Sequence, residues 1–293
     1  MSPVGLRGDQ RGAGLGAMAA ATVIVVTAFG SSLGENVPIL GVVLASFVLV
    51  ALAMGLARWM RLGLERDLVV AAVRAAVQLL AVGFVLSALF DSSLARIWAW
   101  VWLGFMLVVS TRVVVHRARH HIQYLGSIAV VVLGGSAAIA IAVTFGFGVI
   151  EFDPISLVVV TGITIGNAMP STVLGVNQAV TLARDHVGEI EAVLSLGFDR
   201  QMVTRYLAPR AARAALIPQI ERTKVVGLIA LPGAMTGLLL AGVDPVDAVV
   251  IQLIVMYLIL GAAAVCVVSV VAAVSRAAVT ADLRAAPWTQ PGP

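Results

Sequence analysis

Apolar positions along this chain gather into long runs near Val37–Ala57, Leu68–Phe90, Ala95–Val115, Gly126–Val149, Ile155–Val176, Val225–Gly242 and Val246–Val271. A helix needs about 20 mainly apolar residues to cross hydrocarbon, so each run predicts a transmembrane span. A shorter apolar stretch, Leu15–Gly30, follows Arg7 and Arg11. It fits an extra N-terminal helix, a secretory signal closing on Val26-Thr27-Ala28, or a start codon assigned too early. The expected fold class is therefore all-α: a polytopic integral membrane helical bundle with seven core spans. Residues 1–36 read as an N-terminal extension and 37–276 as the transmembrane domain, with a polar cytoplasmic region at 177–224. Residues 277–293 read as a disordered cytoplasmic tail, since Ala285–Pro293 carries prolines and no apolar period.

Charge orients the spans. Arg58, Arg61 and Arg66 follow the first run, and Arg112, Arg117 and Arg119 close the third. Arg184, Arg200, Arg205, Arg210, Arg213, Arg222 and Lys224 fill the gap between the fifth and sixth, and Arg276 and Arg284 follow the seventh. The alternate loops carry Glu35, Asp91, Glu151, Asp153 and Asp244, with only Arg96 against them. Positive charge stays inside, so the core starts outside and ends with a cytoplasmic C-terminus in the cell's inner (plasma) membrane. Trp98, Trp100 and Trp102 at an outer end and Trp59 at an inner end suit interfacial belts.

Composition agrees with lipid as the solvent. The chain is 60% hydrophobic and 12% charged, against about 25% charged in soluble domains. Its net charge of +4 comes from arginines flanking apolar runs, which are topology signals and not a nucleic-acid face. Cys266 is the single cysteine, which excludes an intrachain disulfide and a cysteine zinc cluster.

Polar groups inside spans are costly and informative. No Asp or Glu lies in the interior of any run, which argues against intramembrane proteases and weakens the case for an ion-coupled carrier. Arg74 and Gln78 sit one helical turn apart in the second run. They either snorkel and anchor a helix contact or line a polar route. The fifth run contains Gly162, Thr164, Gly166, Asn167, Met169 and Pro170; the sixth contains Pro232, Gly233, Met235, Thr236 and Gly237. The glycine pairs Gly162/Gly166 and Gly233/Gly237 suit close helix packing. The prolines free backbone groups, and interrupted helices of this kind often border a substrate. Thr164, Asn167, Met169, Met235, Thr236 and Gln252 thus join Arg74 and Gln78 as candidate pathway residues, with packing and a proline kink as the alternative. Met169 and Met235 are candidate soft ligands but equally core filler, so no metal site is assigned.

The polar region predicts two helices, Ala179–Gly197 and Arg200–Ile217, broken at Gly197 and near Pro209 and Pro218. Glu189, Glu191, Arg200 and Arg205 give it a mixed-charge face that a partner can read, with solvated linker helices as the bland account. Glu191-Ala192-Val193-Leu194-Ser195-Leu196-Gly197 resembles the Glu-Ala-Ala loop through which ABC-transporter permeases engage an ATPase.

The likeness extends further. Leu194-Ser195-Leu196-Gly197, Ala214-Ala215-Leu216-Ile217-Pro218, Lys224-Val225-Val226-Gly227-Leu228, Leu231-Pro232-Gly233-Ala234-Met235-Thr236-Gly237 and Ala241-Gly242-Val243-Asp244-Pro245 resemble the Fet-type iron-export ABC permease family, which includes plant permeases linked to aluminium tolerance. Arg74-Ala75, Gln78-Leu79 and Gly166-Asn167-Ala168-Met169 fit the same family. The resemblance implies a permease homodimer in membrane lipid, paired with an ABC ATP-binding subunit that uses ATP and Mg. It also implies export of iron or a related metal species, or of another cargo such as a nucleotide sugar. Glu189, Glu191, Leu194, Leu196, Gly197, Arg200 and Arg205 are the expected coupling residues. Ala234 stands where the family usually has a methionine, which departs from any paired-methionine site. Independently, a phosphate-binding loop needs Gly-Lys followed by Ser or Thr. The only lysine, Lys224, lies between Thr223 and Val225, so the chain binds no ATP of its own in that manner and is not expected to be an enzyme. A non-transporting membrane receptor or scaffold that recruits a cytoplasmic partner is the other class of reading.

Overall fold

The computed structural model describes residues 39–90, 94–118, 122 and 124–290; the candidate segment Leu15–Gly30 lies outside them. Among the described residues all regular structure is helical: α1 Ile39–Trp59, α2 Glu65–Phe90, α3 Ala95–Ala118, α4 Leu125–Gly146, α5 Pro154–Asp185, α6 Val187–Ser195, α7 Arg200–Lys224, α8 Gly233–Leu240 and α9 Pro245–Ala277, with a 3-10 turn at Pro287–Thr289. Five of these, α2, α3, α4, α5 and α9, are long and apolar enough to cross a membrane. The chain is a polytopic helical membrane protein.

Residues up to Ser87 and residues from Ala88 onward form separate units. In the first, α1 ends with Arg58 in its last turn and α2 opens on Glu65 and Asp67. Each charge thus complements the helix dipole end it occupies. The turn between them places Arg61 and Gly63 at positive φ.

In the second unit, α5 and α9 pack against one another and carry α3, α4 and α7 around them. The two central helices start alike: Asp153 accepts from Ser156 N at 2.6 Å ahead of Pro154, and Asp244 accepts from Val246 N at 2.9 Å ahead of Pro245. An aspartate cap followed by proline at the first helical position is a favourable start because it satisfies one orphan N–H and removes another. Their contact depends on Gly175, where a Cβ would stand 3.0 Å from Val270 Cγ1 and 3.3 Å from Val271 Cγ2. Gly175, Ala179 and Ala183 repeat every four residues along α5 and are all buried, a small-residue stripe that lets backbones approach.

Three expectations need correction. The polar region does not break at its prolines: α7 runs through Pro209 and Pro218 to Lys224. Both prolines are exposed, while Val203, Leu207, Ala211, Ala215 and Gln219 form a buried stripe. Packing of that stripe holds the helix despite a cost of about 3 kcal/mol per interior proline. The sixth run is not one helix: residues 225–232 are non-helical and only Gly233–Leu240 coils. Gly227, at φ +85°, donates to Ala230 O at 3.0 Å and closes a tight turn. Finally, the tail is ordered through residue 290. Val279 pairs with Ala285, Thr289 is fully buried, and Trp288 packs on the core.

Candidate functional site

Two places stand out, a broken helix and a corner. The broken helix is α7 followed by residues 225–232 and α8. At its start, Val203 and Leu207 share a core with Ala183, Ile190 and Ala278. Further along, Ala211 and Ala215 join Val176, Ala179, Cys266, Val267 and Val270. α7 therefore climbs antiparallel to α5 and α9, back toward their starts. At 1.5 Å per residue α5 and α9 are about 48–50 Å long, and Lys224 lies about 13 Å beyond Ala215. That puts the last turn of α7 well inside the height the two long helices span.

This turn is charged. Lys224 Nζ donates to Glu221 Oε1 at 2.8 Å, and both side chains stay more than half exposed. Arg213 and Arg222 are also exposed. The following turn bares Leu228 and Ile229 at 89% and 84% exposure. α8 has no buried residue, and its Thr236 hydroxyl donates to Gly233 O at 2.9 Å. Helix and loop together leave a mixed face that the described chain does not cover.

The corner links α5 to α7. His186 turns the chain, α6 follows, and Gly197 closes it at φ +87°. Glu189 is the hub: it accepts from the Tyr206 hydroxyl and pairs with His186 Nδ1 at 3.0 Å, while Arg210 lies 4.4 Å over the Tyr206 ring. The Tyr206 hydroxyl first, then His186, hold the Glu189 carboxyl below its ordinary value. The tail straps this corner. Arg184 Nε donates to Trp288 O at 2.9 Å and Arg200 Nε to Thr280 O at 3.1 Å. Glu191, Leu194 and Ser195 form one wall, and Leu283, Arg284 and Gln290 another, of a recess of about 370 Å³. Leu196 stands 75% exposed beside it in sequence.

The coupling residues thus come together at one corner: Glu189, Glu191, Leu194, Leu196, Gly197, Arg200 and the exposed Arg205 all lie on α6, its turn or the start of α7. The pathway residues lie on α2, α5, α8 and α9. Arg74 and Gln78 are exposed on α2, in the first unit. Thr164 is buried and its hydroxyl donates to Val160 O at 2.7 Å. Met169 packs on the core. Asn167 is half-buried, with its amide nitrogen on Ile163 O at 2.8 Å. Gln252 is buried with Oε1 lacking a donor. Met235 and Thr236 sit half-buried on α8.

Of the packing glycines, Gly162 meets Met106 Cε at 3.3 Å. Gly166, Gly233 and Gly237 face open space, and Pro232 only caps α8. A Cβ at Gly166, Gly233 or Gly237 would thus meet no neighbouring helix within 4 Å in the described chain. Sequence reasoning missed Gly175, whose four-residue spacing to Ala179 and Ala183 was the available signal. It also missed the climb of α7, signalled by its buried i, i+4 stripe. No group of three or more His, Cys, Asp or Glu comes together among the described residues.

Residues 40–279 match a family model described as "Uncharacterised protein family (UPF0014)". The UPF0014 membrane protein STAR2 of rice is 37% identical over 227 residues, covering 75% of this chain and 77% of that protein. The probable iron export permease protein FetB of Escherichia coli is 32% identical over 222 residues, covering 74% and 83%. Protein ALUMINUM SENSITIVE 3 of Arabidopsis thaliana is 31% identical over 225 residues, covering 75% and 80%. No solved structure matches the chain.

Proposed function

The chain belongs to the UPF0014 family, and from that premise we propose that it is the membrane-spanning permease subunit of an ABC transporter that exports iron or a related metal species. Seven crossings are proposed, with the sixth built from the upper part of α7, residues 225–232 and α8. The chain starts outside and ends in the cytoplasm of the inner membrane. A separate ATP-binding subunit supplies ATP and Mg chemistry, and two permeases pair to enclose the path.

The observation that carries this reading is the broken helix formed by α7, residues 225–232 and α8, continuous in the chain with the strapped corner. A push on Leu196, Gly197 and Glu191 enters α5 and α7 together, because both helices leave the corner within a few residues of it. α7 then acts as a lever of about 37 Å whose far end is the charged turn Glu221–Lys224 and the unwound segment. Such interrupted helices occur where irregular backbone borders a cavity and not lipid. The naming of FetB as a probable iron export permease supports the cargo.

Vesicles holding this chain with an ABC ATP-binding subunit test the proposal. ATP-dependent metal movement, lost on Leu196→Glu, is the expected result. Full-speed flux without the ATPase, or no association with it, would overturn the reading.

A further inference from the structure

We propose that cargo passes the broken crossing as an anion, so that a metal travels only inside a negatively charged chelate. This rests on the transporter reading and names the charge class its path accepts. α7 carries Arg200, Arg205, Arg210, Arg213, Arg222 and Lys224 against a single acid, Glu221. That one carboxylate is already held by Lys224 at 2.8 Å. Arg213 and Lys224 are about three turns apart and share one face, opposite the buried stripe of Val203, Leu207, Ala211 and Ala215.

α5 and α9 outreach the hydrocarbon core of about 30 Å, and where α7 lies beside their apolar parts its exposed charge is costly against lipid, which favours a watery or protein-lined space at this face. Within it the basic groups set up a positive potential that low-dielectric walls strengthen. A bare cation meets no compensating acids. α3, α4 and α8 contain no Asp or Glu, α5 only Asp185 at its inner end, and α9 only Asp247 in its first turn. Carboxylate or phosphate oxygens, by contrast, are what guanidinium and ammonium donors bind best. The apolar recess of about 330 Å³ between α4 and α9 offers polar contact only through Ser136, Thr144 and Tyr257, and so gives a charged cargo no alternative route.

The test uses vesicles with the permease and its ATP-binding subunit, ATP, and four probes: ferrous ion alone, ferric citrate, metal-free citrate and glucose 1-phosphate. The anionic probes should move and ferrous ion should not; citrate against the phosphate ester tells which oxygen chemistry is preferred. R222Q/K224Q should cut anion flux by about tenfold, the value of one charged hydrogen bond, with the ATPase still copurifying. K224R should retain flux. E221Q, which releases Lys224, should lower the half-saturating anion concentration, and it decides alone if the double variant does not fold. Transport of bare ferrous ion in preference to ferric citrate, or anion flux indifferent to R222Q/K224Q, overturns this inference and leaves the transporter reading standing. No ATP-dependent flux of any probe overturns both.

Discussion

Replacing Gly197 by alanine separates a shaped corner from a passive turn. Gly197 has φ +87° and a Cβ there would meet nothing within 4 Å, so the whole penalty lies in the backbone. An L-residue held in the left-handed region costs about 1–2 kcal/mol, and that changes a conformational ratio by about 5–30-fold. The geometry at stake is a helix end: Gly197 N donates to Leu194 O at 3.0 Å and Phe198 N to Val193 O at 3.3 Å, the bonds that close a helix on a left-handed residue. G197N serves as the graded variant, because asparagine visits this region more readily than alanine. G188A is the control: Gly188 is helical, faces open space and has no positive φ, so alanine there only raises helix propensity, by up to about 1 kcal/mol. Titrating the ATP-binding subunit onto nanodisc-held permease should give affinities in the order G188A and wild type, then G197N, then G197A. Melting curves run alongside should fall by only a few degrees, since about 1–2 kcal/mol moves Tm by about 2–4 °C per kcal/mol in a chain of this size. If G197A binds and stimulates its ATPase as wild type does, the corner's shape carries no coupling role.

Gly175→Ala should lower the melting temperature, because its Cβ would press on Val270 and Val271 at 3.0 and 3.3 Å; overpacking of about 1–3 kcal/mol exceeds the propensity gain. Gly166→Ala, with open space around it, should be neutral or slightly stabilising in the same melt. Trp288→Ala should cost about 2 kcal/mol, roughly half the value for a fully buried tryptophan, and should speed hydrogen exchange across α6 and the start of α7. Glu189 has a depressed pKa in the folded chain, so its stabilising contribution is present above its ordinary value of 4.5 and fades as pH falls through the folded value. Tyr206→Phe removes the largest cause of that depression, and the Glu189 titration followed by infrared spectroscopy should move upward.

Why six of the apolar runs formed continuous helices and the sixth run did not comes down to what apolar length measures. α1, α2, α3, α4, α5 and α9 start within a few residues of the runs that predicted them, and α5 and α9 run on past the ends of theirs to Asp185 and Ala277. The polar stretch ahead of the sixth run folds as α7, whose stripe of Val203, Leu207, Ala211, Ala215 and Gln219 is small and narrow. Its outward face is arginine, so hydropathy assigns the helix to water. The positive-inside rule then compounds the error, since Arg213, Arg222 and Lys224 count as loop charges whether they sit in cytoplasm or beside an aqueous path. The same blindness hid the tail. Pro287 and its neighbours carry no helical period, yet Arg184 holds Trp288 O and Arg200 holds Thr280 O from distant parts of the chain, contacts that no local pattern encodes. Two of the misread segments, α7 and the tail, are polar in sequence but packed in space, and they meet at the corner. A helix that climbs between two apolar spans while presenting arginine outward is costly in lipid and unneeded in a linker. It makes physical sense where its charged face borders the route a polar cargo takes.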